Sequence, residues 1–520
     1  MGNGPGGFFV VRTGDGGQRR TAQFNQSYQN STIPMNYSEI FVFVLYLIAM
    51  LAIGIYFFFK DRNGGEKTYF LGDRKMGAWV AALSAGASDM SAWVLMGLPT
   101  AIYAAGIGQA WISVGLAAGY ATSWIIQAPR LRRFSIVAGD AITIPQYLTN
   151  RFLTRSRLLQ VISAVVFLLA YTIYAASSIK ACGILFHKVV GMDTTNAMYL
   201  SAFIIVGYTF LGGFSAVCWT DFIQGLLIVG AMFLAPIFAA FVLQSANAAI
   251  DTPNFWNPFA KWTDVVSGLT WGLGYFGMPH IIIRFMSIKS QKELRKSSVI
   301  GISWTALVVI FAVLIGLIGR MKLGLDDDIC KNELVFIQMV RHIFPGLISG
   351  VLLSAVLAAS MSTADSQLLA ASSAFSSDFY KPVVRGSKAH DAELMWIGRL
   401  VVLIVAETAL IIATNPNAGS IMNLVSNAWG VFGASFGPAI MLSLFWKRFN
   451  MAGAVAGIIG GAVVDIAWLC TLSGRTGIFE LLPGFAAGMA CAVAGTLLTR
   501  APSPEVQELF AKAVSYRDEQ

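Results

Sequence analysis

Asp89 is a carboxylate inside an otherwise small and apolar run, Ser84-Ala85-Gly86-Ala87-Ser88-Asp89-Met90-Ser91. An ionisable group at membrane depth is costly and needs a partner or a task. Ser84, Ser88 and Ser91 recur at i, i+4 and i+7, which places them on one helical face beside that carboxylate. The cluster is expected to bind a cation or a solute, with capping of an interrupted helix as the plain structural alternative. A second cluster, Ala359-Ser360-Met361-Ser362-Thr363-Ala364-Asp365-Ser366, gathers hydroxyls and a carboxylate within about two helical turns. Such hard oxygen ligands suit Na⁺ and not a soft transition metal. Ser362 and Thr363 are expected to hold the cation, although serine back-bonding to the helix would explain them too. Asp365, placed near the end of its run, reads either as a further ligand or as a solvated charge. Asp221, after Trp219 and Thr220, is either a cation ligand or a charge at a helix N-terminus, where the dipole favours it.

Trp271, Tyr275 and Met278 follow at i, i+4 and i+7, interleaved with Gly272, Gly274 and Gly277 and followed by Pro279. An aromatic stripe is usually core, but these glycines would unwind the helix and bare the rings, so a solute pocket is expected. Tyr171 and Tyr174 give a weaker signal of the same kind. Glu407 and Asp465 are read as packing or lipid-interface groups, and Lys180 as a snorkelling side chain. The four histidines are scattered, no phosphate loop or nucleophile elbow occurs, and the five cysteines show no metal spacing. No enzyme, zinc site or disulfide framework is expected.

These groups sit in a chain of 520 residues that is 56% hydrophobic and 12% charged, with mean hydropathy +0.66. Soluble domains carry about 25% charged residues, so this is an all-α integral membrane protein. Apolar runs lie at about 40–59, 78–104, 107–128, 158–179, 196–216, 221–244, 267–286, 298–319, 343–370, 398–415, 419–446, 451–472 and 479–499. Each is near the length that crosses a hydrocarbon core of about 30 Å. Their continuity excludes a barrel. The net charge of +9 comes from clusters between runs and marks topology, not nucleic acid. With the N-terminus outside, 25 of the 36 Lys and Arg fall on the cytoplasmic side, among them the group from Arg284 to Lys296. Residues 1–39, polar and Gly-rich, read as a disordered extracytoplasmic tail whose sequons at Asn25, Asn30 and Asn36 read as chance. Residues 501–520 read as a short cytoplasmic tail with no signalling module. The lipid bilayer of the plasma (inner) membrane is the expected surrounding, with no obligate protein partner.

The polar stretch at 84–91 interrupts the second run and the glycines with Pro279 interrupt the seventh, five runs later. Paired interruptions of this kind point to an inverted-repeat transporter. The repeats would be about 78–244 and 267–446 within a single transmembrane domain, 40–500. Gly453, Gly457 and Gly461 mark a close-packing face, either a seam between copies or contact within the chain.

Several segments together resemble the sodium:solute symporter family, and most closely its proline carriers. They are Ala82 to Ser91 with Gly97-Leu98-Pro99, Thr172-Ile173-Tyr174, Trp219-Thr220-Asp221, Trp271 to Gly277 with Pro279-His280, and Met361-Ser362-Thr363. The resemblance implies about thirteen transmembrane helices, a LeuT-type five-plus-five inverted repeat with broken spans 2 and 7, and Na⁺-coupled uptake of L-proline or a similar small solute. It implies a Na⁺ site from the carbonyls of Ala87, Met90 and Ala359 and the hydroxyls of Ser362 and Thr363. It further implies a solute pocket from Trp271, Tyr275, Pro279, Tyr174, Gly97, Ser91 and Asp89, and a functional basic residue at Arg74. Met278 departs from the proline carriers, which leaves another zwitterion or a monocarboxylate open. Asp365 also departs, and with Asp221, Ser362 and Ser366 it suggests a second Na⁺ site. A sensor or channel on the same scaffold is a more distant expectation.

Overall fold

The computed structural model describes residues 36–60, 65–211, 213–243, 250–386 and 389–517. The tail expectation falls almost wholly outside these, and α1, Tyr37–Lys60, begins slightly before the expected boundary. The helices that build the bundle around the site include α2 Ala78–Met90, α3 Gly97–Ala105, α4 Trp111–Thr122, α5 Leu158–Val190, α6 Thr194–Leu211, α7 Phe214–Val242, α8 Trp262–Thr270, α9 Pro279–Ser287, α10 Gln291–Leu323, α11 Gly346–Ser373, α12 Asp391–Thr414, α13 Ile421–Phe445, α14 Met451–Thr471 and α15 Leu481–Leu497. Among the described residues, eight helices are long and apolar enough to cross a membrane, and shorter apolar helices such as Ala92–Ala105 and Leu481–Leu497 accompany them. Helical structure follows from the medium: in hydrocarbon every backbone N–H and C=O must bond within the segment.

Burial separates the helices into two groups. In the segment Gly346–Arg385, 83% of the most apolar window is buried, against 28% in Tyr37–Lys60, so α11 is enclosed by other helices while α1 faces lipid. Around α11 lie α1, α2, α5, α7 and α12, and α2 also packs on α9 and α10. Asp365 is therefore fully buried, and the solvated alternative is corrected. The helix continues eight residues past it to Ser373.

Both expected interruptions are present. α2 runs unbroken through Ser84 and Ser88 and stops at Met90, where Ser91 takes φ 41° and ψ 179°. The break thus falls at the end of the polar stretch and not along it, because the earlier hydroxyls find partners without unwinding the helix. A non-glycine residue in such a conformation costs about 1–3 kcal/mol and persists only where its surroundings hold it. The second interruption is gradual: α8 passes into a tighter turn over Trp271–Phe276, and Met278 is extended before α9 starts at Pro279. Gly272 lets that stretch approach α4, since a Cβ there would clash with the Gly115 carbonyl oxygen.

The glycine face of α14 is taken up within the chain. A Cβ at Gly457 would meet Ala492 of α15 at 2.8 Å, and one at Gly461 would meet the Ala434 carbonyl of α13 at 2.1 Å. The C-terminal tail forms a helix, Pro504–Ser515, whose Phe510 packs edge-on to Phe134 at 5.3 Å.

Candidate functional site

The end of α2 serves two clusters. On one side the Ala87 carbonyl accepts hydrogen bonds from Ser362 Oγ at 2.8 Å and from Thr363 Oγ1 at 3.5 Å. Ser362 Oγ also donates to the Ala359 carbonyl at 3.2 Å. Two carbonyls and two hydroxyls from α2 and α11 thus converge in a fully buried place. All four are neutral hard oxygens, the donor set a dehydrated Na⁺ accepts. Met90, the fifth expected ligand, is buried on the same turn.

On the other side stands an aromatic group. The Tyr275 hydroxyl donates to Asp89 Oδ2 at 2.6 Å, and the Tyr174 hydroxyl donates to the Asp89 carbonyl at 3.5 Å. Trp271 stacks between Trp93, at 5.4 Å, and Phe479, at 5.0 Å. The Trp429 indole N–H donates to the Trp271 carbonyl at 2.9 Å, and its ring lies edge-on to Tyr275 at 5.0 Å. Asp89 Oδ1 and the Ser91 hydroxyl are buried with no hydrogen-bond partner among the described residues. Aromatic faces beside free polar atoms suit a small amphipathic solute. Pro279 starts α9 beside this group, with the Tyr171 hydroxyl accepting from the His280 N–H at 2.9 Å. Gly97 lies further out, where a Cβ would be 3.4 Å from Glu333 Oε1. Trp93, Trp429 and Glu333 were not expected, since periodicity in one helix says nothing of what a distant helix brings to it.

A third cluster differs from expectation. Asp221 Oδ2 accepts from Ser84 Oγ at 2.7 Å and from Ser88 Oγ at 2.9 Å, and Ser88 Oγ lies 2.9 Å from Ser366 Oγ. The charge among them is Arg284, whose Nη2 reaches Asp221 Oδ2 at 3.1 Å, Ser88 Oγ at 2.9 Å and Ser366 Oγ at 2.6 Å. Its Nε donates to Ser84 Oγ at 3.1 Å, and Nη1 donates to the His280 carbonyl. Arg284 is 1% exposed. Counting it with the cytoplasmic group is corrected, which leaves 24 residues there in place of 25. Asp365 adjoins the cluster, accepting from Ser366 Oγ at 3.3 Å. Asp465 is buried beside Glu480, and Glu407 is exposed on the outer face of α12.

Arg74 ties three segments at one end of the bundle. It donates to Asp140 Oδ1 at 2.8 Å, to Ser135 Oγ at 3.2 Å, to the Ala141 carbonyl at 2.8 Å, and to the Met286 carbonyl near the end of α9. Burial works against the charge on Asp140, but Lys67 and Arg74 outweigh it and hold the carboxyl below its ordinary value. At the opposite end Glu333 accepts from the amides of Ile421 at 3.1 Å and Met422 at 3.3 Å, the first residues of α13.

With this geometry in hand, a family profile, the sodium:solute symporter family, matches residues 69–461. The high-affinity proline transporter PutP of Bacillus subtilis is 44% identical over 470 residues, 89% of this chain and 98% of that protein. A sodium/proline symporter of Staphylococcus aureus is 40% identical over 495 residues, 91% of this chain and 95% of that protein. Among solved structures, a Na⁺-coupled sialic acid symporter in a substrate-bound outward-open state aligns with TM-score 0.72 at 22% identity, covering 90% of this chain and 99% of that one. The last likeness establishes the fold.

Proposed function

Because this chain belongs to the sodium:solute symporter family and is a multi-pass membrane transporter and not an enzyme, we propose that it takes up L-proline, driven by Na⁺, by alternating access. The observation that carries this reading is the double use of one helix end. In the last turn of α2, just before the break, Ala87 meets Ser362 and Thr363 while Asp89 meets Tyr275 and Tyr174. A cation held by Ala87, Met90, Ala359, Ser362 and Thr363 fixes the last turn of α2. That turn then presents Asp89 and Ser91 to the solute, while Trp271, Tyr275 and Pro279 supply an apolar wall for a pyrrolidine ring. Ion and solute stabilise the same conformation, so each raises the affinity for the other.

Both interruptions lie where such a change is cheapest, since unwound backbone needs no helix to be broken when α9 shifts against α2. Arg74, bonded to the Met286 carbonyl, anchors the cytoplasmic end of α9 in this state, and Glu333 anchors the outer end of α13. The reading includes thirteen spans in the plasma membrane with the N-terminus outside, as the Lys and Arg distribution favours. Labelled proline should accumulate in vesicles only under an inward Na⁺ gradient. Accumulation that ignores the gradient, or none at all, would refute the proposal.

A further inference from the structure

Ser84 and Ser88 of α2, Asp221 of α7 and Ser366 of α11 aim four oxygens at one buried place, and every one of these side chains is 2% exposed or less. One carboxylate and three hydroxyls are an adequate cage for an alkali cation. The cage already holds a positive charge, since Arg284 bonds to all four residues within 3.1 Å. A guanidinium does not lose its proton in a protein, so the charge is permanent. A Na⁺ entering the same cage would meet it at contact distance in a medium of low dielectric, where like charges repel strongly.

We infer that Arg284 is the resident cation of this cage, standing where a second transported Na⁺ would bind, so that the carrier couples one Na⁺ to each solute. The inference rests on the Na⁺-coupled reading above and deepens it. The two oxygen clusters then divide their tasks by charge: the neutral one takes an exchangeable ion, and the one with a carboxylate keeps a tethered ion.

The test is the charge carried per labelled proline in proteoliposomes, taken from the potential at which a set proline gradient produces no net flux. One charge per proline is expected in the wild type. Two would overturn the inference and leave Na⁺-coupled proline uptake standing, whereas proline flux without any Na⁺ dependence would remove the underlying reading itself. A second measurement needs no transport: Na⁺-dependent thermal stabilisation of the purified protein. Arg284→Ser empties the cage but keeps its oxygens, and should add a second, steeper Na⁺ dependence that Arg284→Ser with Asp221→Asn lacks. Equal Na⁺ dependence in those two variants would overturn the inference, and if neither variant folds the wild-type charge ratio decides.

Discussion

The two oxygen clusters share α2 and α11, with Ala87 beside Ser88 and Ser362 one turn before Ser366, yet the second adds Asp221 of α7 and Arg284 of α9 and so differs in charge. The first contains carbonyls and hydroxyls only. The second contains Asp221 and Arg284, 3.1 Å apart and both buried. Neutral oxygens release an ion without leaving a charge behind, which a transport cycle requires. A buried ion pair cannot lose one member without stranding the other. One scaffold therefore gives a reversible site and a locked one, and a single tethered guanidinium makes the difference.

The largest effect that could break this contrast concerns the locked cluster. Asp221→Asn strands Arg284 in the bundle and should cost about 3–5 kcal/mol, read as lost membrane abundance and a lower unfolding temperature. Adding Arg284→Gln should recover most of it. If Asp221→Asn is as stable as the wild type, the cluster is not locked by charge. The solute side comes next: Trp271→Ala should raise half-saturating proline by tenfold or more, about 1.5–3 kcal/mol of lost apolar burial. Normal proline binding in that variant would return the aromatic group to plain packing. Smaller effects are expected at the reversible cluster. Ser362→Ala or Thr363→Ala should raise the Na⁺ needed for half-maximal uptake severalfold, about 1 kcal/mol per lost ligand, with saturated uptake nearly unchanged. Unaltered Na⁺ dependence in both would remove these hydroxyls from the ion site.

The smallest effect lies outside the membrane. Burial pushes the Glu333 carboxyl from 4.5 to about 7, against the opposing pull of the Met422 and Ile421 amides and Lys180. The folded protein thus holds this proton more tightly than the unfolded chain. The resulting stabilisation is complete below about pH 4.5 and is lost as pH rises through about 7. Glu333→Gln should flatten the fall of unfolding temperature across that window. An unchanged slope would mean that another group titrates there.

Much of this arrangement was legible in the sequence where composition forces a consequence. A serine and aspartate run inside an apolar stretch has few uses other than a break or a site, and Gly272, Gly274 and Gly277 before Pro279 cannot sustain a regular helix. The break itself fell later than expected, because Ser84 and Ser88 bond to Asp221 and Arg284 on other helices, and no local rule reveals such partners. By sequence Arg284 counts with the cytoplasmic charges that run to Lys296. One signal in the sequence argues otherwise: Phe285 and Met286 continue the apolar run. Trp93 and Trp429 were invisible as site residues, because each reaches Trp271 only through packing between distant segments.

The central claim is that ion and solute share the end of α2, and it is tested most directly by proline binding to the purified protein at varied Na⁺. The account predicts that saturating Na⁺ tightens proline binding and that saturating proline tightens Na⁺ binding by the same factor, with the Na⁺ needed for the effect raised severalfold in Ser362→Ala. Proline affinity that is identical with and without Na⁺ would contradict it.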